Sequence, residues 1–158
     1  MSCRPEHCST SNSNSGMNLL GKAVECMKEQ LIQAAIEARN HAYVPYSHFQ
    51  VGAALLTDDG KVYGGANIEN ASYGLTNCAE RTAIFKAASE GVRKIQAIAI
   101  VADTDGPVSP CGACRQVIAE FSDEHTRIYL TNLHGDVSEW SIGEILPGYF
   151  QAKDMDKG

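Results

Sequence analysis

The sequence predicts a three-layer α/β/α domain on a mixed sheet of about five strands. A hairpin pattern opens the sheet: residues 49–57 and 61–66 read as strands, separated by the turn residues Asp58-Asp59-Gly60. Strand and helix periods then alternate through the second half of the chain. The run 97–102 is apolar on both of its alternating faces, as a strand covered on both sides must be. An order of strand, helix, strand, helix, strand implies right-handed crossovers and a parallel stretch of sheet under helices.

Each element has its own signal. Val24, Met27, Leu31, Ala35, Ala38 and Ala42 recur at three- and four-residue steps, which predicts an amphipathic helix opening after Gly21 and closing before Pro45. Cys26 lies off that stripe and reads as a bystander thiol. Residues 67–77 are rich in Asn, Ser, Gly and Tyr, a loop composition that carries function more often than packing. A helix follows, with Ala79, Ala83, Ile84, Ala87 and Ala88 on one face, Phe85 on another, and Gly91 as its stop. Cys114, Val117, Ile118 and Phe121 mark a further helix, 128–131 a buried strand, 137–140 an edge strand and 142–146 a turn of helix.

Composition bounds the function. At 158 residues, 44% hydrophobic and 20% charged, the chain is one globular domain, expected over 17–158. Residues 1–16 contain no aliphatic side chain after Met1 and are expected to form a disordered tail, in which Cys3, His7 and Cys8 lack the frame a metal site needs. A net charge of -6 without a basic cluster argues against nucleic-acid binding. No stretch approaches the roughly 18 apolar residues of a membrane span, and Arg4, Glu6 and His7 stand where a signal peptide would be apolar. The expected location is the cytoplasm, where thiols stay reduced and a C-x-x-C is metal-binding or redox-active rather than a disulfide staple.

The chemistry concentrates in Cys78-Ala79-Glu80-Arg81 and Pro110-Cys111-Gly112-Ala113-Cys114. Both segments open helices, whose dipoles and free N–H groups favour thiolate. Cys111 and Cys114, at i and i+3, can reach one ion, and Cys78 supplies a third ligand. The two-residue spacing of Cys78 and Glu80 places Cys78 at the cap, so that Glu80 can turn beside the metal. Three ligands leave an open fourth position, the catalytic pattern; His48 or His134 closing the site, or a Cys111/Cys114 redox pair, are the alternatives. Three thiolates outweigh a divalent ion by one negative charge, so a cation beside the sulfurs is expected. Arg81 is the first candidate, and Arg115 the second.

Cys78-Ala79-Glu80 with Pro110-Cys111-x-x-Cys114 resembles the zinc-dependent cytidine deaminases, in which the Glu beside the first ligand is the acid/base. Val44-Pro45-Tyr46-Ser47, Asn67-Ile68-Glu69-Asn70-Ala71-Ser72-Tyr73 and Leu146-Pro147-Gly148 extend the likeness from about residue 43 to residue 150, to the small homotetrameric members. The resemblance implies one zinc ion per subunit and hydrolysis of cytidine and deoxycytidine to uridine and deoxyuridine, with Glu80 moving the protons. It also implies that Asn67 and Glu69 grip the ribose 3'-hydroxyl, that Phe49 stacks on the pyrimidine, and that Ala79 belongs to the substrate site. Tyr73 and Phe150 match positions that reach a neighbouring subunit's site, which implies a homotetramer with shared active sites. The competing readings are a deaminase of another cytosine-bearing compound and a structural zinc module, in which Glu80 would have no task.

Overall fold

The computed structural model describes residues 19–155, and the expected N-terminal tail lies outside them. Its elements run α1 (Leu19–Arg39), β1 (Val51–Thr57), β2 (Val62–Ala66), α2 (Ala79–Ser89), β3 (Ile95–Ala102), α3 (Gly112–Glu120), β4 (Arg127–Asn132), β5 (Val137–Trp140) and α4 (Ile142–Ile145), with 3-10 turns at Tyr73–Leu75 and Ala152–Asp154. The first helix therefore starts before Gly21 and runs through it. Phe49 lies outside β1, in the link ahead of it, where the Asn67 side chain takes up both the Phe49 carbonyl and the Val51 amide.

One five-stranded sheet carries the domain, in the order β2-β1-β3-β4-β5. β1 is antiparallel to β2 and β3, β3 is parallel to β4, and β4 is antiparallel to β5. The sheet is mixed, as expected. Its parallel stretch is shorter than the order of elements suggested, since β1 separates β2 from β3 and only β3 and β4 pair in parallel.

Strand alternation divides the interior into two apolar layers. Ala53, Leu55, Ile98, Ile100, Ile128 and Leu130 point to one face, where α2 supplies Ala83, Ile84 and Ala87 and α3 supplies Ile118. Ala54, Leu56, Ala97, Ala99, Val101 and Tyr129 point to the other, against Leu31 and Ala35 of α1. Cys26, read as a bystander, is instead buried in α1, where it accepts a 3.4 Å hydrogen bond from Gln30. Phe85 stays exposed on the outer side of α2.

Two glycines set how closely the helices approach. A Cβ on Gly52 would stand 2.1 Å from the Ala35 carbonyl oxygen, so α1 lies directly on β1. A Cβ on Gly65 would stand 2.4 Å from the Ala83 nitrogen and 2.6 Å from the Ala79 oxygen, so the first turns of α2 rest on bare β2 backbone. This contact fixes the height of the helix that carries Glu80. Gly65→Ala is expected to lower the melting temperature by roughly 2–10 °C, from an overpacking cost of about 1–3 kcal/mol. Gly106→Ala, which meets open space, should stay within about 1 °C of the parent.

Candidate metal centre

Two helix N-termini meet at the site. Cys78 is the N-cap of α2 and Cys111 the N-cap of α3, both in extended backbone, and Cys114 follows in the first turn of α3. The cap position of Cys78 leaves Glu80 inside the first turn, buried to 4% exposure. Thr82 holds the cap in place: its hydroxyl donates to the Cys78 carbonyl at 3.2 Å and accepts from the Asn77 amide at 3.0 Å.

The three sulfurs lie within 4.8 Å of one another, and Cys78 and Cys111 are 3.9 Å apart. Zinc–sulfur bonds of about 2.3 Å in a tetrahedron require sulfurs about 3.8 Å apart, so the donor set fits zinc. All three thiols are free. Among the described residues no histidine joins the cluster. His134 pairs instead with Asp103 at 3.4 Å, and three sulfur donors leave the fourth position of a tetrahedral ion open.

The electrostatics suit a metal with a proton carrier. Hydrogen bonding from Cys114, then from Arg81 and Cys111, pulls the Cys78 thiol down to about 5, into the thiolate range at neutral pH. The same Cys78 bond, with burial, pushes the Cys114 thiol up. Burial also raises the Glu80 carboxyl above the ordinary carboxylate range, reinforced by the negative charge of Cys78. Arg81 donates from Nη2 to the Cys78 sulfur at 3.4 Å, and that bond holds its guanidinium firmly protonated. Its Nε is buried without a hydrogen-bond partner.

Arg115 is placed differently from Arg81. Its guanidinium donates to the Pro110 carbonyl at 3.0 Å and the Ile145 carbonyl at 2.6 Å, so its hydrogen bonds go to backbone oxygens rather than to sulfur. Its sequence neighbourhood beside Cys114 suggested charge compensation, whereas the bonds are those of a tether.

The candidate substrate residues line the loops beside the cysteines. Tyr43, Ile68 and Asn77 form a short ladder through Glu69 N to Tyr43 O at 2.8 Å and the reciprocal Ile68–Asn77 bonds at 2.9 Å. The ladder ties the Asn67–Glu69 segment to the residue before Cys78. Glu69 accepts the backbone amides of Tyr46 and Ser47 at 2.9 and 3.2 Å and the Ser47 hydroxyl, which holds its carboxyl below the usual range. Asn67 positions the Phe49 and Val51 backbone. Ala79 is fully buried at the start of α2, while Phe49, Tyr73 and Phe150 are 43%, 75% and 58% exposed. Tyr73 stands edge-on to Tyr46, with ring centroids 5.7 Å apart.

Thr82 and Gly65 are site-building residues that the motifs did not name, and Ser47 was quoted in the family likeness without a task. The paired glycines Gly64-Gly65 inside a strand were a legible sign of close backbone approach.

The model of the cytidine and deoxycytidylate deaminase zinc-binding region matches residues 26–130. The chain belongs to this deaminase family. It is similar to the cytidine deaminase of Halalkalibacterium halodurans, at 65% identity over 82% of this chain and 98% of the relative. The crystal structure of cytidine deaminase from Burkholderia pseudomallei superimposes with a TM-score of 0.75 at 56% identity, covering 77% of this chain and 98% of that one. The structure of cytidine deaminase from Mycobacterium tuberculosis gives 0.69 at 40% identity over 78% and 97%. As a member of the deaminase family the chain is a zinc-dependent enzyme, and Cys78, Cys111 and Cys114 are the residues that would hold the ion.

Arg81→Ala removes the guanidinium from the Cys78 sulfur. Zinc affinity, measured by competition with a chelator, is expected to fall about 10–100-fold. Unchanged zinc retention would show that the sulfurs need no such partner.

Proposed function

We propose that the chain catalyses the hydrolytic deamination of cytidine and deoxycytidine to uridine and deoxyuridine, with release of ammonia, as a step of pyrimidine salvage. The observation that carries this reading is the buried Glu80 carboxyl two residues from Cys78, beside three convergent sulfurs. The relatives' names and the extent of the match support the substrate. A structural zinc module would have no use for a carboxyl whose burial raises its affinity for protons.

When bound, zinc supplies the nucleophile by lowering the pKa of water from 15.7 to about 7. Glu80 does the proton work. Its carboxylate accepts a proton from the attacking water, passes it to N3 of the pyrimidine as the new C4–O bond forms, and then serves the departing amino group as the C4–N4 bond breaks. One water is consumed and one ammonia leaves. Arg81 offsets the third thiolate, which would otherwise weaken the site's pull on that water.

The loops supply specificity. The ribose 3'-hydroxyl donates to Glu69, whose carboxylate oxygens can accept bonds beyond those from Tyr46 and Ser47. Asn67 shares that role while fixing the backbone that presents Phe49 to the pyrimidine face. The Ala79 backbone at the start of α2 lies against the base. Glu69, kept ionised, repels a phosphate, so nucleosides are preferred to nucleotides. The net charge of -6 gives polynucleotides no purchase.

The proposed assembly is a homotetramer, one zinc per subunit, in which Tyr73 and Phe150 reach a neighbour's site. Its support is the high exposure of these two rings near the metal loops, together with Tyr43, Tyr46, Ile68 and Leu75 on the same group of loops. Among the described residues no helix is long and apolar enough to cross a membrane. We place the enzyme in the cytoplasm, which keeps the three site thiols reduced.

Glu80→Gln is expected to keep one zinc per chain and to lose about 10²–10⁴-fold in uridine formation. A variant that turns over at the parent rate would remove Glu80 from the chemistry. Cytidine should be deaminated well ahead of its 5'-monophosphate, and equal kcat/KM for the two would contradict the role given to Glu69. Light scattering of the active enzyme should give about four times the chain mass; a fully active monomer would end the shared-site proposal.

A further inference from the structure

We infer that Arg115 is a positioning residue that locks the metal loop to the C-terminal segment, so that the two segments move as one body. Two side-chain contacts carry this. The Arg115 Nε donates to the carbonyl of buried Pro110 at 3.0 Å, and its Nη1 donates to the carbonyl of buried Ile145 at 2.6 Å. The next residue extends the clamp, since Gln116 Nε2 donates to the Phe150 carbonyl at 3.0 Å.

The geometry requires arginine. The Pro110 and Ile145 carbonyls lie on elements separated by two strands in the chain, and a planar guanidinium reaches both with directed donors from one rigid fork. A lysine ammonium would keep the charge but not the fork. Ile145 and Pro110 are acceptors that burial removes from water, so each left without its donor incurs a desolvation penalty. The helix that carries Cys114 thus also carries the two side chains that set where residues 145–150 stand. Arg115 acts on the reaction through these segments and not through charge at the sulfurs, which Arg81 already meets.

The kinetic consequence rests on the proposed substrate chemistry, in which Phe150 contributes to a neighbouring site. Full-length, zinc-loaded Arg115→Ala and Arg115→Lys should both keep one zinc per chain. Amide hydrogen exchange at Ile145 and Leu146 should quicken together, on the order of tenfold, in both variants. KM for cytidine should rise on the order of tenfold while kcat stays within about twofold. Gln116→Ala should quicken exchange after residue 150 and raise KM while leaving Ile145 and Leu146 protected. Recovery of parental exchange and KM by Arg115→Lys would overturn the proposal in favour of charge compensation, as would loss of zinc from both variants with exchange at Ile145 unchanged. If Arg115→Ala does not fold, the Lys variant decides by the same readouts. An inactive parent enzyme would sink the substrate reading alone, and the exchange measurements would still settle the clamp.

Discussion

Everything at this site depends on the convergence of two helix N-termini on three sulfurs. Cys78 and Cys111 are N-caps without side-chain capping bonds, so their sulfurs are left for other work while the free helix N–H groups and dipoles favour negative charge there. The sheet sets this convergence. α2 and α3 pack on the same face, and bare Gly65 backbone lets α2 settle against β2. Any change that tilts either helix changes a sulfur–sulfur distance first.

Charge is the second constraint, and it follows from the first. Three thiolates around a divalent ion leave a negative excess that Arg81 answers from the same helix turn. Burial, reinforced by the negative charge of Cys78, raises the affinity of Glu80 for the proton we propose that it carries. The ligand set, Arg81 and the proposed acid/base Glu80 therefore form one electrostatic unit. The loops proposed to hold the sugar hang from it through the Tyr43–Ile68–Asn77 ladder, which joins Asn67 and Glu69 to the Cys78 cap.

Local signals carried much of this into the sequence. The apolar periods located every helix and strand of the core, and the spacing of Cys78 to Glu80 was enough to put Cys78 at a cap. Boundaries and strand order were less legible. α1 runs through Gly21 because a single helical glycine costs only about 1 kcal/mol, which a long packed helix outweighs. The insertion of β1 between β2 and β3 is a non-local pairing that no short window contains. Arg115 shows the same limit: adjacency to Cys114 suggested a cation near the sulfurs, while its side-chain hydrogen bonds to Pro110 and to Ile145, 30 residues away, lie outside that local signal. Asn67 and Glu69 were recognised for what they resemble, but their bonds to Phe49, Val51, Tyr46 and Ser47 show that they also build the loops.

The central claim is that these three sulfurs hold the metal on which deamination depends. The most direct test strips the purified enzyme with a thiophilic chelator, then follows uridine formation while zinc is returned in measured amounts. The account predicts no turnover in the stripped protein and full recovery at one zinc per chain. Undiminished uridine formation by metal-free protein would contradict it.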